Sequence, residues 1–288
     1  MALKSEAVVF GPDANLVGVV TLAEPAARPD LAFIMFNSGV LPRLGPHRMN
    51  VKIAERLARH GVSSLRFDLA GFGDSRVPNQ SLDFRQQAVA DVRSAMDMME
   101  GRYGVRRFAL IGVCSGALTV YTVADEDPRV AGVLMFDGYC YLTKWTKWVK
   151  YFKRARTASA SRWVSAIRNR LRRNRGPAPG ASPNPVAIMS ADAVTPTPPK
   201  ESFARVMDQL LARGASVFVV FSGSFIDFYS YRNQFRDAFA GFDFVRRIRC
   251  EYRADIDHTF VLLDTQARML DLVSSWVPEV EQAAGPSR

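Results

Sequence analysis

The residue best placed for chemistry is Cys114, in the stretch Phe108-Ala-Leu-Ile-Gly-Val-Cys-Ser-Gly-Ala117. The apolar run reads as a buried strand that stops at Gly112, and the small residues beyond it open a helix. A nucleophile at the tip of such a sharp strand-to-helix turn needs strained backbone angles. The residues two before and two after it then press together and must be small, and Gly112 and Gly116 meet that need. Ser115 would offer its backbone N–H at the helix N-terminus, where a carbonyl oxygen gains charge during acyl transfer. The chemistry expected of such a thiol is attack on an ester or thioester carbonyl. Two other readings compete. Cys114 can be a small buried core residue, as free cysteines often are. A frame shifted by one makes Ser115 the nucleophile, but places the β-branched Val113 where a small side chain is wanted.

The elements around this turn alternate. Residues 7–10 and 16–23 read as an opening hairpin at a sheet edge, and Leu31-Ala-Phe-Ile-Met-Phe36 as a strand covered on both faces. Helical spacing follows over 48–60, then a strand over 63–69, a helix over 82–99, the strand and helix that flank Cys114, and a strand over 130–136. After a long interruption come a helix over 203–211, a strand over 215–221, a helix over 229–239, an exposed strand over 244–252 and a helix over 260–276. Residues from 279 onward read as frayed. The pattern predicts an α/β fold with a mostly parallel, eight-stranded sheet and helices on both faces.

Gly112-x-Cys114-x-Gly116 between strand and helix resembles the G-x-S-x-G nucleophile elbow of α/β-hydrolases. Phe67-Asp-Leu-Ala-Gly-Phe-Gly-Asp-Ser75 is similar to the D-x-R-G-x-G-x-S turn of the serine-aminopeptidase-like group, with Ala70 in place of the usual arginine. A cysteine elbow is shared with dienelactone hydrolases. Gly45-Pro-His-Arg48 together with the elbow resembles proteins described as exosortase-associated hydrolases. The resemblance covers nearly the whole chain outside residues 139–200. It implies that 1–138 and 201–288 form the hydrolase core and that 139–200 form a helical cap. It also implies a nucleophile, acid and histidine in that chain order. His258, in Asp-His-Thr between the last strand and the last helix, then takes the role of base. Asp227 is the first choice of acid, from the loop after strand 215–221, and Asp137 is the runner-up. The oxyanion hole would pair the Ser115 N–H with that of Ser38 or Gly39, in Asn37-Ser-Gly39. His47 and His60 fall in or beside the first helix, and Asp68 with the following glycines shapes a turn. The implied reaction is covalent acyl transfer through an acyl-thioenzyme, by a hydrolase or an acyltransferase. The alternative is an inactive hydrolase-fold binding protein.

The chain of 288 residues is 48% hydrophobic, enough for one large domain and an insertion. Its three cysteines are too few for a disulfide framework and lack metal-type spacing, so neither a metal nor a cofactor is expected. No apolar run long enough to cross a membrane and no secretory leader are visible, which points to the cytoplasm. The formal charge of +10 is local, because residues 144–175 hold twelve Lys or Arg and no Asp or Glu, leaving the remainder near −2. Trp145, Trp148, Val149 and Phe152 share one helical face there, and Trp163, Val164, Ile167 and Leu171 repeat the design. A proline-rich stretch, 176–199, follows. Three uses of this basic segment are open: a cap with a solvated outer face, a handle for an acyl group carried on coenzyme A or a carrier protein, and peripheral contact with anionic membrane via 144–175. Nucleic acid is not expected, since the aromatics follow helical spacing.

Overall fold

The computed structural model describes residues 4–23, 25, 28–78, 82–146, 148–149, 152, 197–224 and 228–283. Eight strands form one sheet: β1 (Lys4–Phe10), β2 (Leu16–Leu22), β3 (Leu31–Met35), β4 (Ser63–Phe67), β5 (Arg107–Val113), β6 (Val130–Phe136), β7 (Ser216–Ser222) and β8 (Arg249–Arg253). The spatial order is β1-β2-β4-β3-β5-β6-β7-β8. The β1–β2 and β2–β4 pairs are antiparallel, and the pairs from β4 to β8 are parallel. β3 lies between β4 and β5, so the connection from β3 to β4 and that from β4 to β5 wind to opposite sides of the sheet. The loops at the carboxyl ends of β3 and β5 thus face each other at a topological switch point, where open α/β sheets bind their ligands.

Helices cover both faces. α1 (Met49–Arg59) and the long C-terminal helix, α7 (Leu263–Gln282), lie on one side; α2 (Phe84–Tyr103), α3 (Ser115–Glu126), α4 (Lys200–Ala212) and the short α5 (Gln234–Ala238) and α6 (Phe244–Arg247) lie on the other. The alternation of strand side chains builds the two cores. Leu31, Phe33 and Met35 face α1 and α7, while Ala32 and Ile34 face the α2–α3 side. Trp276 of α7 meets Phe33 edge-on at 5.6 Å and donates its indole N–H to Ser216 Oγ at 2.9 Å. Local signals bound α2: Asp83 and Gln86 form a capping box at its start, and Gly104 ends it at φ 71°.

Three expectations require correction. The exposed strand expected over 244–252 is the helical turn α6 followed by β8. Phe244 and Val245 are buried, which a half-exposed alternating strand would not allow for two consecutive residues. The helix expected over 229–239 is only α5, because Tyr229 instead stacks on Phe221 at 3.9 Å. The C-terminal residues do not fray at 279. α7 continues through Pro278 to Gln282, and its end is held by the Arg107 guanidinium on the Ala283 carbonyl. Of the expected cap, residues 144–146, 148–149 and 152 are helical. Its second amphipathic stretch and its proline-rich part, in 153–196, lie outside the described residues.

Candidate active site

Cys114 sits between β5 and α3 with φ 56° and ψ −119°, a conformation that costs a non-glycine residue about 1–3 kcal/mol. The glycines make that turn feasible. A Cβ on Gly112 would lie 2.4 Å from the Gly116 carbonyl oxygen, and a Cβ on Gly116 would lie 3.0 Å from the Asn37 carbonyl oxygen. The strand and helix therefore close on each other, and the helix closes on the loop after β3. Cys114 is partly exposed, and its backbone N–H is anchored on the Phe136 carbonyl at 2.8 Å.

The loop after β3 is stapled on two sides. The buried Asn37 donates to the Leu41 carbonyl at 3.0 Å and accepts the Leu69 N–H at 2.7 Å. Ser38 Oγ donates to the Val113 carbonyl at 3.0 Å, beside the elbow. The Gly39 N–H, one of the two expected second oxyanion donors, is given to Ser115 Oγ at 2.8 Å. The Ser115 hydroxyl thus occupies one of the two N–H groups expected as the second oxyanion donor. The neighbouring turn is built around Asp68, fully buried, which accepts the Arg43 N–H at 2.6 Å, the Arg43 guanidinium and the Asp74 N–H. Gly73 must be glycine there, since a Cβ would lie 2.3 Å from Asp68 Oδ2. Asp68 shapes the turn, as read from the sequence.

His258 lies on the loop between β8 and α7. Its Nδ1 is 2.7 Å from Asp137 Oδ2, and its side chain also hydrogen-bonds the Cys114 thiol. With Nδ1 turned to the carboxylate, Nε2 is the nitrogen left for sulfur, a tautomer assigned from the hydrogen-bond network. Asp137 is the first residue after β6. It is buried and held at φ 49°, and its other oxygen accepts the Ser222 N–H at 2.7 Å. The bond from the carboxylate, and after it the bond to Cys114, push the imidazole up from 6.5 to about 10, against the opposing effect of burial. The carboxylate that meets His258 is thus the runner-up of the sequence reading. Asp227, the first choice, lies outside the described residues. Asp257 instead braces the His258 loop by accepting from Thr259 and Val261 N–H groups and the Thr265 hydroxyl.

Two positioning contacts had no sequence signal. Ser224 Oγ accepts the His258 N–H at 2.6 Å, and Phe260, buried at φ 55°, packs on Phe136 at 4.9 Å directly behind the imidazole loop. Asn37 was visible only as part of a turn. His47 and His60 are exposed, on either side of α1. The other two thiols are pushed up by burial, Cys250 to about 12, and stay protonated at neutral pH. Among the described residues, no cluster of three His, Cys, Asp or Glu side chains is arranged to hold a metal ion.

Comparison with known proteins agrees with this architecture. A search of curated proteins finds no match. Among solved structures, an esterase of Pyrococcus furiosus superposes with a TM-score of 0.62 at 14% identity, covering 98% of this chain and 92% of that one. A serine hydrolase without lid from Xanthomonas campestris gives 0.58 at 14% identity, over 100% and 98%. A proline iminopeptidase of Mycobacterium smegmatis gives 0.55 at 15% identity, over 96% and 99%. At such identities the likeness shows the α/β-hydrolase fold. Residues 47–213, more than half of the chain and including the β4 turn and the elbow, match the model of the serine aminopeptidases, S33. The protein is an α/β-hydrolase enzyme that belongs to the serine aminopeptidase (S33) family.

Proposed function

We propose that this enzyme is a cysteine-nucleophile acyl hydrolase or acyltransferase acting on an ester or thioester, with Cys114, His258 and Asp137 as its triad. The observation that carries this reading is the unbroken contact series from Asp137 through His258 to the Cys114 thiol at a strained elbow. A basic imidazole touching a thiol favours proton transfer from sulfur to Nε2 and so a thiolate nucleophile. The Cys114 thiolate adds to the carbonyl carbon, and the oxygen's new charge falls beside the Ser115 N–H. The β3 loop would supply a second donor at Ser38, or at Gly39 once the Ser115 hydroxyl turns away. Collapse of the adduct expels the alcohol or thiol, which takes the proton from Nε2, and leaves a thioester on Cys114. His258 then removes a proton from water or from an acceptor, which attacks that thioester and releases Cys114. Asp137 keeps the imidazole oriented and stabilises its protonated form. The relatives described as serine hydrolases or esterases carry out chemistry of this class; here a thiol stands at the elbow tip.

The test is mass spectrometry after brief exposure to an activated ester at neutral pH. An acyl adduct on Cys114 that is absent from Cys114→Ala is expected, with turnover falling by about 10³-fold or more in that variant. Folded enzyme that never acquires the adduct, or a Cys114→Ala variant with unchanged turnover, overturns the reading. Absence of both adduct and turnover would favour the alternative of an inactive binding protein, whereas unchanged turnover in the variant would place the nucleophile elsewhere.

A further inference from the structure

The exposed large apolar side chains among the described residues are not scattered over the surface. All of them lie toward the carboxyl end of the parallel strands. They come from the loops that follow β3, β4, β6, β7 and β8 and from the first residues of α2 and α7. Val40, Trp145, Trp148, Phe152, Phe228 and Leu263 are the clearest. Even Val9, on edge strand β1, obeys the rule. β1 is antiparallel to β2 and β2 to β4, so the end of β1 points the same way as the end of β4. Among the described residues, no side chain of this kind is exposed around the turns at the opposite end. Single exposed apolar residues need no explanation, but a one-sided distribution drawn from five loops does.

The members of this rim are of particular types. Trp145 is 64% exposed and Trp148 58%, and Trp148 and Phe152 lie ring against ring at 6.3 Å without burying each other. Strands about 4.8 Å apart spread the loops from β3 to β8 over about 19 Å, with the Cys114 elbow among them. Asp74 and Asp264, exposed at this end, are paired with Arg43 and Arg268. Lys144 and Arg48 are exposed beside the rim, and the sequence running on from Lys144 to residue 175 holds twelve Lys or Arg without one carboxylate. Exposed tryptophan beside dense positive charge is the composition that seats proteins in the headgroup layer of an anionic bilayer. A protein partner of ordinary surface would need a matching acidic groove, whereas a lipid surface accepts tips dispersed over several loops. No helix among the described residues is long and apolar enough to cross a membrane, so the contact would be peripheral.

We infer that the carboxyl end of the sheet docks on an anionic lipid surface, with the tips of Trp145, Trp148, Val40 and Leu263 in the headgroup layer and the Cys114 site opening toward the membrane. The inference does not depend on the acyl-transfer reading, because it concerns binding alone. It is tested by co-sedimentation of the full chain with vesicles of phosphatidylcholine containing phosphatidylglycerol, against vesicles of phosphatidylcholine alone. Binding to the anionic vesicles that weakens with added salt is expected. Trp145→Ser combined with Trp148→Ser should lower partitioning about tenfold or more, and Val40→Ser combined with Leu263→Ser should lower it several-fold. Arg59→Ser, which removes one positive charge at the far end of α1, should partition as the wild type does. Near-UV circular dichroism checks that each variant is folded. Failure of the folded protein to sediment with anionic vesicles, equal binding to both kinds of vesicle, or rim variants that bind like the wild type would each overturn the inference.

Discussion

The two ends of the sheet differ in which residues carry backbone strain. At the amino end, chain reversals that require positive φ use glycine: Gly61, Gly104 and Gly214. The surface there is laced with ion pairs. Arg129 bridges Asp127, Asp97 and Glu100, all at 2.7–2.8 Å, while Arg107 meets Asp30 and Arg249 meets Glu251 and Glu279. At the carboxyl end, positive φ falls on glycines too (Gly11, Gly39, Gly45, Gly71 and Gly73), but it is also imposed on side-chain-bearing residues. Ala14, His47, Arg48, Cys114, Asp137 and Phe260 are the non-glycine residues in that region among those described, and all six lie at this end. Two of them belong to the candidate triad, and a third backs its histidine. The amino end relaxes the chain and holds it; the carboxyl end spends conformational strain on aiming sulfur, carboxylate and imidazole at one another.

The largest effect that would sharpen this contrast is expected at Asp137. Asp137→Asn removes the charge that His258 faces but keeps an acceptor for the Ser222 N–H. Turnover should fall by about 10²-fold, less than for a serine triad, because a thiol needs less help to ionise. The folded imidazole is raised from 6.5 to about 10, so its contribution to stability is fully present below pH 6.5 and disappears as pH rises through 10. Chemical denaturation should therefore show the wild type more stable than Asp137→Asn by about 2 kcal/mol at pH 6, with the gap closing toward pH 10. A gap that widens with pH would mean that the pair is not the one described.

The amino end should respond in the opposite currency. Arg129→Ala leaves three carboxylates facing one another and should lower stability by about 1–2 kcal/mol, a loss reduced by added salt, with turnover unchanged within about twofold. A large loss of activity would show that the two ends are not separable in this way. The smallest effect is expected at Ser115. Ser115→Ala frees the Gly39 N–H and should raise the rate of acylation by an activated ester about two- to fivefold. A decrease would instead mean that the hydroxyl serves as a latch holding the β3 loop on the elbow.

The elbow was legible because its constraint is local. Only small residues fit two positions on either side of such a turn, and the clash distances at Gly112 and Gly116 express that constraint directly. The succession of strands and helices along the chain was legible from the alternation of buried runs with amphipathic stretches, and His258 stood out from its place before the last helix. The short elements between β7 and β8 were not. Phe235, Phe239 and Phe244 pack with Phe203 of α4 into one aromatic cluster, and those distant contacts override local periodicity.

The sequence by itself determined which chemical groups are available and in what chain order: a thiol at a glycine-flanked turn, a late histidine, two aspartates after successive strands, and a basic, tryptophan-bearing segment. Only the tertiary structure decided which carboxylate meets the imidazole, because that depends on β6 and β7 lying side by side and on a backbone angle that swings Asp137 under His258. It likewise decided that the Ser115 hydroxyl takes the Gly39 N–H, and that exposed apolar residues from five separate loops gather at one end. The physical reason is the same each time. Side-chain type and local spacing are properties of the chain, whereas contact between residues 121 positions apart is a property of how strands pair.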